Sequence, residues 1–431
     1  MIRLLHLSDI HFREPWCSNP REDRDSSLRQ LIVDDTINFK NESNINFDAI
    51  LVTGDIAYSA LPEEFEVAAS WLTELATAIG IPPSSVFVVP GNHDINRQCA
   101  DKLSVQANKR IILAEHGENR IETFSTALRD PNMGASLLEP FTAYNDFARK
   151  YGCSIDQAES FWEHEIAFCE RYTLKLNGLT TTFFSDSSDD RANLFMGGVQ
   201  ANLTIKRGTV NLAMFHHPYD WLNDGDAIAD QLANSAQVTL VGHKHRQRIH
   251  LDHGNVIFSA AATNPSRKEN AYQPGYNIID LSIREDEENA WVDIEAHLRT
   301  LQDNPAMFIA KKTRENEISW KYNFKIQRAH NLIKSFDDNL TVKDTSHKTS
   351  NTSIQSESVN TQNIEPIRLT AYRFWNLTES QRRNVVSNLN LLNDEQLKES
   401  AEERYVQIFK LVNLNGLQEK FIQLIQIEEG K

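Results

Sequence analysis

Five apolar runs in the first two-thirds of the chain end in side chains that can bind a metal ion. The runs are rich in Val, Ile, Leu and Phe, which is typical of buried strands. The polar side chains that follow them are carboxylates, imidazoles and one carboxamide, with no thiolate. In chain order they are Asp9 and His11 (HLSDIH), Asp55 (LVTGD), Asn92, His93 and Asp94 (VVPGNHD), His216 and His217 (MFHHP), and His243 and His245 (LVGHKH).

Oxygen and imidazole ligands without sulfur favour manganese, iron, zinc or cobalt over copper(I) or metal clusters. Two divalent ions about 3.5–4 Å apart can activate water near neutral pH and hold a phosphoryl group in line for attack. A carboxylate can bridge two ions, and Asp55 follows a tight Thr-Gly turn that suits this position. His93 fits a histidine that protonates the leaving oxygen or stabilises charge on the phosphate, and we expect Asp94 to hydrogen-bond to it and fix its orientation.

The ordered set DxH, GD, GNHD, HH and GHxH resembles the calcineurin-like metallophosphoesterase family over about residues 1–298. The resemblance implies a phosphodiesterase or phosphatase with two divalent metal ions, of which Mn²⁺ is favoured and Fe, Zn or Co also fit. It implies attack of a metal-bridging hydroxide on the phosphoester, with His93 as the catalytic histidine. The implied ligands are Asp9, His11, Asp55 and His245 for one ion, and Asp55, Asn92, His216 and His243 for the other.

The HHP block contains two histidines for one ligand position. His216 directly follows the strand-like run LAMF, so we assign it as the ligand. This leaves His217 as a neighbour of the ligands or a substrate contact. Arg13, just past Asp9 and His11, is a candidate contact for a substrate phosphate.

The elements that must bring these side chains together alternate between strand-like and helix-like patterns, which predicts a layered α/β core. In an open α/β sheet ligands bind outside the carboxyl ends of the strands, so five such ends can converge on one crevice. The strand-like runs after Val256 follow one another without helices, which predicts an antiparallel part of the sheet. We therefore expect mixed sheets flanked by helices, and a small all-α domain at the C-terminal end.

The chain divides by composition into three parts. Residues 1–334 form the expected metallophosphoesterase domain, with a helical insertion at about 97–171. Residues 335–366 are dominated by Ser, Thr, Asn, Asp and Gln, which predicts a flexible polar linker. Residues 367–431 regain helical periodicity and contain Thr378 and Gln381 at capping-box spacing.

The stretch RFWNLTESQRRNVVSNLNLL in the C-terminal part resembles death-fold-like or effector-associated adaptor domains. The resemblance implies a small helical interaction domain that docks a protein partner. A helical appendage that stabilises or oligomerises the protein is the alternative, and the sequence does not decide between them.

Composition excludes several functions. A net charge of −16 disfavours a general nucleic-acid coat or a membrane-surface role, so nucleic acid is expected only as a substrate. The four cysteines form no CxxC pair, which is typical of a reducing compartment. Without a long apolar span or a cleavage signal, we predict a cytoplasmic protein that makes no membrane contact.

Three functions follow from these observations. The prediction is a dinuclear metal-dependent phosphodiesterase acting on a nucleotide-type or other small phosphoester. The alternative is a metal-dependent DNA or RNA nuclease whose C-terminal domain recruits a protein partner. A non-catalytic scaffold is the third, and it is disfavoured because every ligand position is filled.

Overall fold

A computed structural model describes residues 1–158, 160–265, 273–329, 367–393, 396 and 400–431. The predicted linker at 335–366 lies outside these described residues. By its internal contacts the chain divides into two compact units. The first comprises Met1–Ala329 and Ala371–Asn376, and the second comprises the remaining described residues from 367 onwards.

The first unit is built mainly from strands. In chain order they are β1 (Ile2–Leu7), β2 (Ala49–Val52), β3 (Val86–Val88), β4 (Trp162–Cys169), β5 (Tyr172–Gly178), β6 (Thr209–Phe215), β7 (Val238–Val241), β8 (Arg248–Asp252), β9 (Asn255–Ser259), β10 (Gly275–Glu285), β11 (Ala290–Asp303), β12 (Ala306–Ala310) and β13 (Trp320–Ile326).

Helices flank these strands and make up the described C-terminal part. They are α1 (Ser26–Ser43), α2 (Pro62–Ile79), α3 (Arg97–Ala100), α4 (Leu103–Ala114), α5 (Gly117–Arg129), α6 (Pro131–Leu138), α7 (Thr142–Ala148), α8 (Gly198–Ala201), α9 (Gly225–Ser235), α10 (Ile367–Asn376), α11 (Glu379–Leu389), α12 (Ala401–Leu414) and α13 (Gln418–Glu429). Among the described residues, no helix combines the length and the apolar character that crossing a membrane requires.

The strands form two mixed sheets. One has the order β12-β11-β10-β1-β2-β3, with β13 also paired to β11, and the other has the order β4-β5-β6-β7-β9-β8. Strands β1, β2 and β3 run parallel, as do β5, β6, β7 and β9. Strands β10 to β13 pair antiparallel, which confirms the expected change in the sheet after Val256. The predicted fold class, mixed sheets flanked by helices, is therefore confirmed.

The strands that lead to the candidate ligands are buried, except at Thr209, the first residue of β6. Every residue of β1, β2, β3 and β7 is buried. Continuous apolar runs of this kind are typical of parallel strands covered on both faces. The polar side chains that follow each run therefore come at the first point where the chain leaves the core.

The helical insertion is shorter than predicted. Helices α3 to α7 fill its first part, but residues 162–169, which we expected to be helical, form strand β4 and pair with β5. The helical prediction is wrong here because the more buried side chains of WEHEIAFC recur at every second position. A period of two is the pattern of a strand and not of a helix.

The described C-terminal residues are helical, as predicted. The side chain of Gln381 accepts a 2.9 Å hydrogen bond from the backbone N–H of Thr378, so α11 begins with a capping box. Apolar side chains of α11, α12 and α13, such as Val385, Ile408 and Ile425, are buried.

Candidate metal centre

The loops after the buried strands hold the candidate ligands in an uncommon backbone conformation. Asp9, His11, Asp55, His243 and His245 all lie in the left-handed region, with φ between 53° and 68°. Each such residue costs on the order of 1–3 kcal/mol, and conformations of this kind cluster at functional sites. Five of them among the predicted ligands indicate that the loops are shaped to direct side chains and not to lower backbone energy.

Two glycines allow these loops to meet backbone to backbone. Gly54, with φ +88°, lies so close to Gly91 that a Cβ atom would stand 2.6 Å from the Gly91 nitrogen. A Cβ at Gly91 would stand 2.2 Å from Oδ1 of Asp55. Any side chain at either position would push the GD and GNHD loops apart.

The first predicted ligand set converges in the structure. Nε2 of His245 lies 3.1 Å from Oδ1 of Asp9. Nε2 of His11 lies 3.4 Å from Oδ2 of Asp55. Ligand atoms of Asp9, His11 and His245 all lie within 4.8 Å of one another.

The second predicted set converges beside the first. Nε2 of His216 lies 3.2 Å from Oδ1 of Asn92 and 3.2 Å from Nδ1 of His243. Nδ1 of His243 also lies 3.2 Å from Oδ1 of Asn92. Oδ2 of Asp55 is 3.3 Å from Nε2 of His216, so the same carboxylate oxygen reaches both sets.

These separations fit bound divalent ions. An ion that binds nitrogen or oxygen at about 2.0–2.2 Å holds neighbouring ligand atoms about 3.0–3.5 Å apart. Nδ1 of His216 lies 2.7 Å from the carbonyl oxygen of Thr53 and donates its proton there, so Nε2 points at the oxygens of Asp55 and Asn92. Burial opposes protonation of His216, but Asp55 outweighs it and raises the pKa of His216 to about 9. Nε2 thus holds a proton between these oxygens, at the position where a metal ion would replace it.

The charges of the cluster also suit cations. Burial would raise the pKa of Asp9, but the adjacent His245 outweighs it and lowers the pKa to about 2. The pKa of Asp55 is likewise held well below its usual value by His216 and His93, against the effect of burial. Burial and the neighbouring His216 lower the pKa of His243 to about 3. Ionised carboxylates and a neutral imidazole are the forms that bind metal.

His93 is placed differently from the ligand histidines. Its Nδ1 donates a 2.7 Å hydrogen bond to the carbonyl oxygen of Tyr58, and its backbone N–H donates to Oδ1 of Asp55 at 2.8 Å. Its ring meets the His11 ring edge-on at 5.0 Å between centroids and lines a cavity at the centre. Nε2 is therefore the nitrogen that remains for contact with a substrate.

The expected hydrogen bond between Asp94 and His93 is wrong. Asp94 is fully buried, and its two carboxylate oxygens accept hydrogen bonds from the backbone nitrogens of Gly91 and Ala57, both at 2.8 Å. The GNHD turn folds the carboxylate back onto its own loop, so Asp94 ties that loop to residue 57. Burial, reinforced by the nearby charge of Asp55, raises the pKa of Asp94 to about 7.

His217 is not placed to touch a substrate, which corrects that expectation. Its side chain is fully buried, and its Nδ1 lies 3.0 Å from the hydroxyl of Thr181. Its ring lies 4.6 Å from that of His243 and 5.9 Å from that of Trp221. His217 thus packs behind the second ligand set as a neighbour of the ligands.

A cavity of about 580 Å³ opens beside the first ligand set. His11, His93 and His245 line its inner end, and Arg13, Trp16 and Tyr58 line its walls. The guanidinium carbon of Arg13 lies 3.3 Å from the centroid of the Tyr58 ring. Arg13 therefore lies in this cavity, next to Tyr58.

The contacts that orient the imidazoles were missed from the sequence. They are the backbone carbonyl oxygens of Thr53, Tyr58 and Asn264, which face Nδ1 of His216, His93 and His11. Every residue has a carbonyl group, so no sequence signal could have identified these three. Of the residues on the cavity wall, Arg13 was identified from the sequence, whereas Trp16 and Tyr58 were not.

Such a fold, with imidazoles and carboxylates gathered at the carboxyl ends of its strands, defines the class of metal-dependent phosphoesterases. The model of calcineurin-like phosphoesterases matches residues 2–247, which is more than half of the chain. The chain belongs to the calcineurin-like phosphoesterase family. A second model, the GTPase-associated adaptor domain, matches residues 366–427 and confirms the resemblance to adaptor domains.

One curated relative is the metallophosphoesterase-like protein YydB of Bacillus subtilis. It is 30% identical over 107 residues, which are 25% of this chain and 20% of YydB. The matched stretch thus spans only a fifth of the relative's length.

Several solved structures are similar to parts of the chain at low sequence identity. GAP50 of Plasmodium is 9% identical with a TM-score of 0.38, covering 76% of this chain and 90% of that one. A 5'-nucleotidase-like protein of Staphylococcus aureus is 12% identical with a TM-score of 0.34, covering 73% and 56%. The zinc complex of Vps29 from Entamoeba histolytica is 10% identical with a TM-score of 0.30, covering 72% and 97%. At such scores these structures carry no information about activity.

Proposed function

We propose that the chain is a two-metal phosphodiesterase that hydrolyses a nucleotide-type or other small phosphoester. The observation that carries the proposal is the position of Asp55, whose Oδ2 lies 3.4 Å from Nε2 of His11 and 3.3 Å from Nε2 of His216. One carboxylate between two donor sets is the arrangement that two adjacent ions require. Oxygen and imidazole donors fit manganese, iron, zinc or cobalt, and of these Mn²⁺ is the ion we propose, as the family resemblance implies.

Two divalent ions bound there would supply activated water and neutralise charge on the phosphoryl oxygens. Burial lowers the pKa of His93, so Nε2 would take up a proton only beside the negative charge of the bound phosphoester and would then pass it to the oxygen of the departing alcohol. The carbonyl of Tyr58 accepts the proton on Nδ1 in both protonation states, so the ring keeps its orientation while Nε2 exchanges its proton. The guanidinium of Arg13 would pair with a phosphate oxygen at the cavity wall.

The cavity supports a small substrate. Its volume of about 580 Å³ lies in the range of small-molecule sites, about 300–1,000 Å³. Tyr58 and the half-exposed Trp16 offer aromatic faces beside the cationic Arg13. A phosphoester with a planar group, such as a nucleotide, matches this combination.

The test is hydrolysis of bis-p-nitrophenyl phosphate with Mn²⁺, compared with hydrolysis of the monoester p-nitrophenyl phosphate. We expect the diester to be cleaved faster, and Asp55→Ala to lose the activity together with bound metal. Asp226→Ala, which removes an exposed aspartate of α9, is the matched control and should keep both. A wild-type protein that cleaves neither ester with any of Mn²⁺, Zn²⁺, Fe²⁺ or Co²⁺ would exclude the proposal.

We further propose that residues 367–431 dock a protein partner. The match to the GTPase-associated adaptor domain supports this and suggests that the partner is, or is bound to, a GTPase. A nuclease activity of the same metal centre is the second candidate function, and a row of basic side chains next to the GHKH loop favours it.

A further inference from the structure

A second cavity, of about 250 Å³, lies on the other side of the GHKH loop. His245 lines the first cavity, whereas its sequence neighbours Lys244 and Arg246 line the second. Pro218, Tyr219 and Asp220, which directly follow the HH pair, form part of its wall. The second cavity is thus bounded by the loops that carry His216 and His243.

Four basic side chains line this cavity, and they come from one short stretch of chain. They are Lys244, Arg246, Arg248 and His250, which we call the basic row. Lys244 is paired with Asp220 at 2.5 Å. Within the part of the chain that the structure describes, the guanidinium groups of Arg246 and Arg248 have no ion-pair or hydrogen-bond partner, and both residues are exposed. The cavity therefore presents two uncompensated positive charges in a chain whose net charge is −16.

Only the last two members of the row lie on a strand, since β8 begins at Arg248 and Lys244 and Arg246 precede it. Strand β8 is the edge of its sheet, and Arg248 and His250 lie directly opposite Ser259 and Ile257, which line the same cavity. Because Arg248 and His250 are two residues apart on one face of the strand, their side chains are about 6.6 Å apart. That interval is close to the separation of neighbouring phosphates along an extended single strand of nucleic acid. It is too long for the adjacent phosphates of a polyphosphate.

His250, the last residue of the basic row, has charged neighbours that affect its pKa. Burial lowers the pKa of His250, Asp252 opposes this, and the positive charges of Arg248 and Lys244 lower the pKa further. His250 is therefore a neutral hydrogen-bonding group at neutral pH. Arg246 and Arg248 are the groups that would attract an anion.

We propose that the basic row binds the phosphate backbone of a single-stranded nucleic acid and leads it to the metal centre. Binding of the strand is argued from the side chains of the basic row alone, whereas cleavage of the bound strand rests on the proposed phosphodiesterase function. The ester to be cleaved would lie at the loop carrying His243 and His245. The following phosphates would lie against Arg246 in the loop and then against Arg248 and His250 on β8.

The test is binding of fluorescently labelled dT20 to the full-length chain in EDTA, measured by anisotropy at several salt concentrations. EDTA prevents hydrolysis, so this experiment measures binding alone. If dT20 does not bind, the proposed phosphodiesterase function is not affected. If the metal centre is inactive, the proposed strand binding is not affected. The test variant is Arg246→Gln with Arg248→Gln. The matched control is Arg314→Gln with Lys325→Gln, which removes two exposed charges away from the row.

For single strands each phosphate contact contributes about −0.7 to the slope of log K against log salt. Losing two contacts should make the slope less steep by about 1.4 and weaken binding about 25-fold at 0.1 M salt, with little difference near 1 M. The control variant should bind like the wild type.

Three outcomes would overturn the proposal. The first is absence of dT20 binding to the wild type at low salt. The second is an equal salt slope in the wild type and the Arg246, Arg248 variant, since arginines that only protect an edge strand from aggregation would give this result. The third is tighter binding of a 20-base-pair duplex than of dT20, because the row would then not be selecting an extended strand.

Discussion

The carbonyl oxygen of Tyr58 decides which nitrogen of His93 can take part in chemistry. It accepts the proton of Nδ1 at 2.7 Å and leaves Nε2 towards the cavity. Asp94, which follows His93 in the sequence, has no part in this and ties the loop to Gly91 and Ala57 instead. The group that orients the His93 ring is therefore the carbonyl of Tyr58, which is distant in the sequence, and not the neighbouring residue Asp94.

Replacing His93 by Asn should lower kcat for bis-p-nitrophenyl phosphate by about 10²–10⁴-fold, because a proton donor is lost. The content of bound metal should stay unchanged, because in our proposal His93 is not a ligand. Metal content is measured by elemental analysis alongside the kinetics. His253→Asn, a change of an exposed histidine, is the control and should alter neither quantity. Loss of metal in the His93 variant would show that His93 is a ligand.

Between elements, a buried ion pair reinforces the antiparallel pairing of β1 with β10. Nε and Nη2 of Arg3 donate to the two oxygens of Asp280, both at 2.7 Å, and the two residues lie directly opposite each other. Burial would raise the pKa of Asp280, but the hydrogen bonds from Arg3 outweigh it and lower the pKa. This pair links the strand that leads to Asp9 with the antiparallel half of the sheet.

Asp280→Asn should lower the free energy of unfolding by about 3–5 kcal/mol at pH 7, because the buried guanidinium of Arg3 loses its counter-charge. Since the folded state depresses the pKa of Asp280, its contribution is present above the unfolded value of about 3.8 and is lost as the pH falls through the lower folded value. The difference between wild type and variant in urea unfolding should therefore shrink below pH 3.8.

The neighbouring pair Arg284–Asp293 provides the control for this prediction. It joins β10 to β11 at 3.0 Å, but both side chains are exposed to solvent. Asp293→Asn should change the free energy of unfolding by no more than about 1 kcal/mol. Equal losses in the two variants would contradict the importance of burial.

In the molecule as a whole, the candidate ligands and both cavities lie within Met1–Ala329. The same compact unit includes Ala371–Asn376, where the hydroxyl of Tyr372 lies 3.0 Å from that of Thr73. The Tyr372 ring also lies 5.9 Å from the ring of Tyr151. A chain that keeps the catalytic unit whole must therefore extend to residue 376.

A chain that ends after Asn376 should hydrolyse bis-p-nitrophenyl phosphate within about twofold of the full-length chain, because every proposed catalytic group is retained. A chain that ends after residue 366 should have a lower Tm, because it lacks Tyr372. A large loss of activity in the longer truncation would place part of the active site beyond Asn376.

The same two proteins test the role of the C-terminal domain. If this domain docks a different protein, the full-length chain and the chain ending after Asn376 should have the same oligomeric state in analytical ultracentrifugation. Self-association that is lost in the truncated chain would favour the alternative, a helical appendage that oligomerises the protein.

The amino-acid sequence by itself determined the family, the fold class and the strand ends at which the candidate ligands lie. It could do so because the ligands follow apolar runs that are long enough to be buried. The end of such a buried strand is the first position at which polar side chains can leave the core. The capping box of α11 was readable for a similar reason, since Thr378 and Gln381 interact across three residues.

Only the tertiary structure decided the contacts that join distant segments. The carbonyl that orients His93, the burial of His217 behind His243, and the cavity that Tyr219 forms with Arg248 all depend on how separate loops pack. Local patterns record whether a side chain is polar or apolar, but they do not record which backbone atom or distant side chain will stand opposite it. For this reason the chemistry of the centre was visible in the sequence, whereas the path that a substrate takes to it was not.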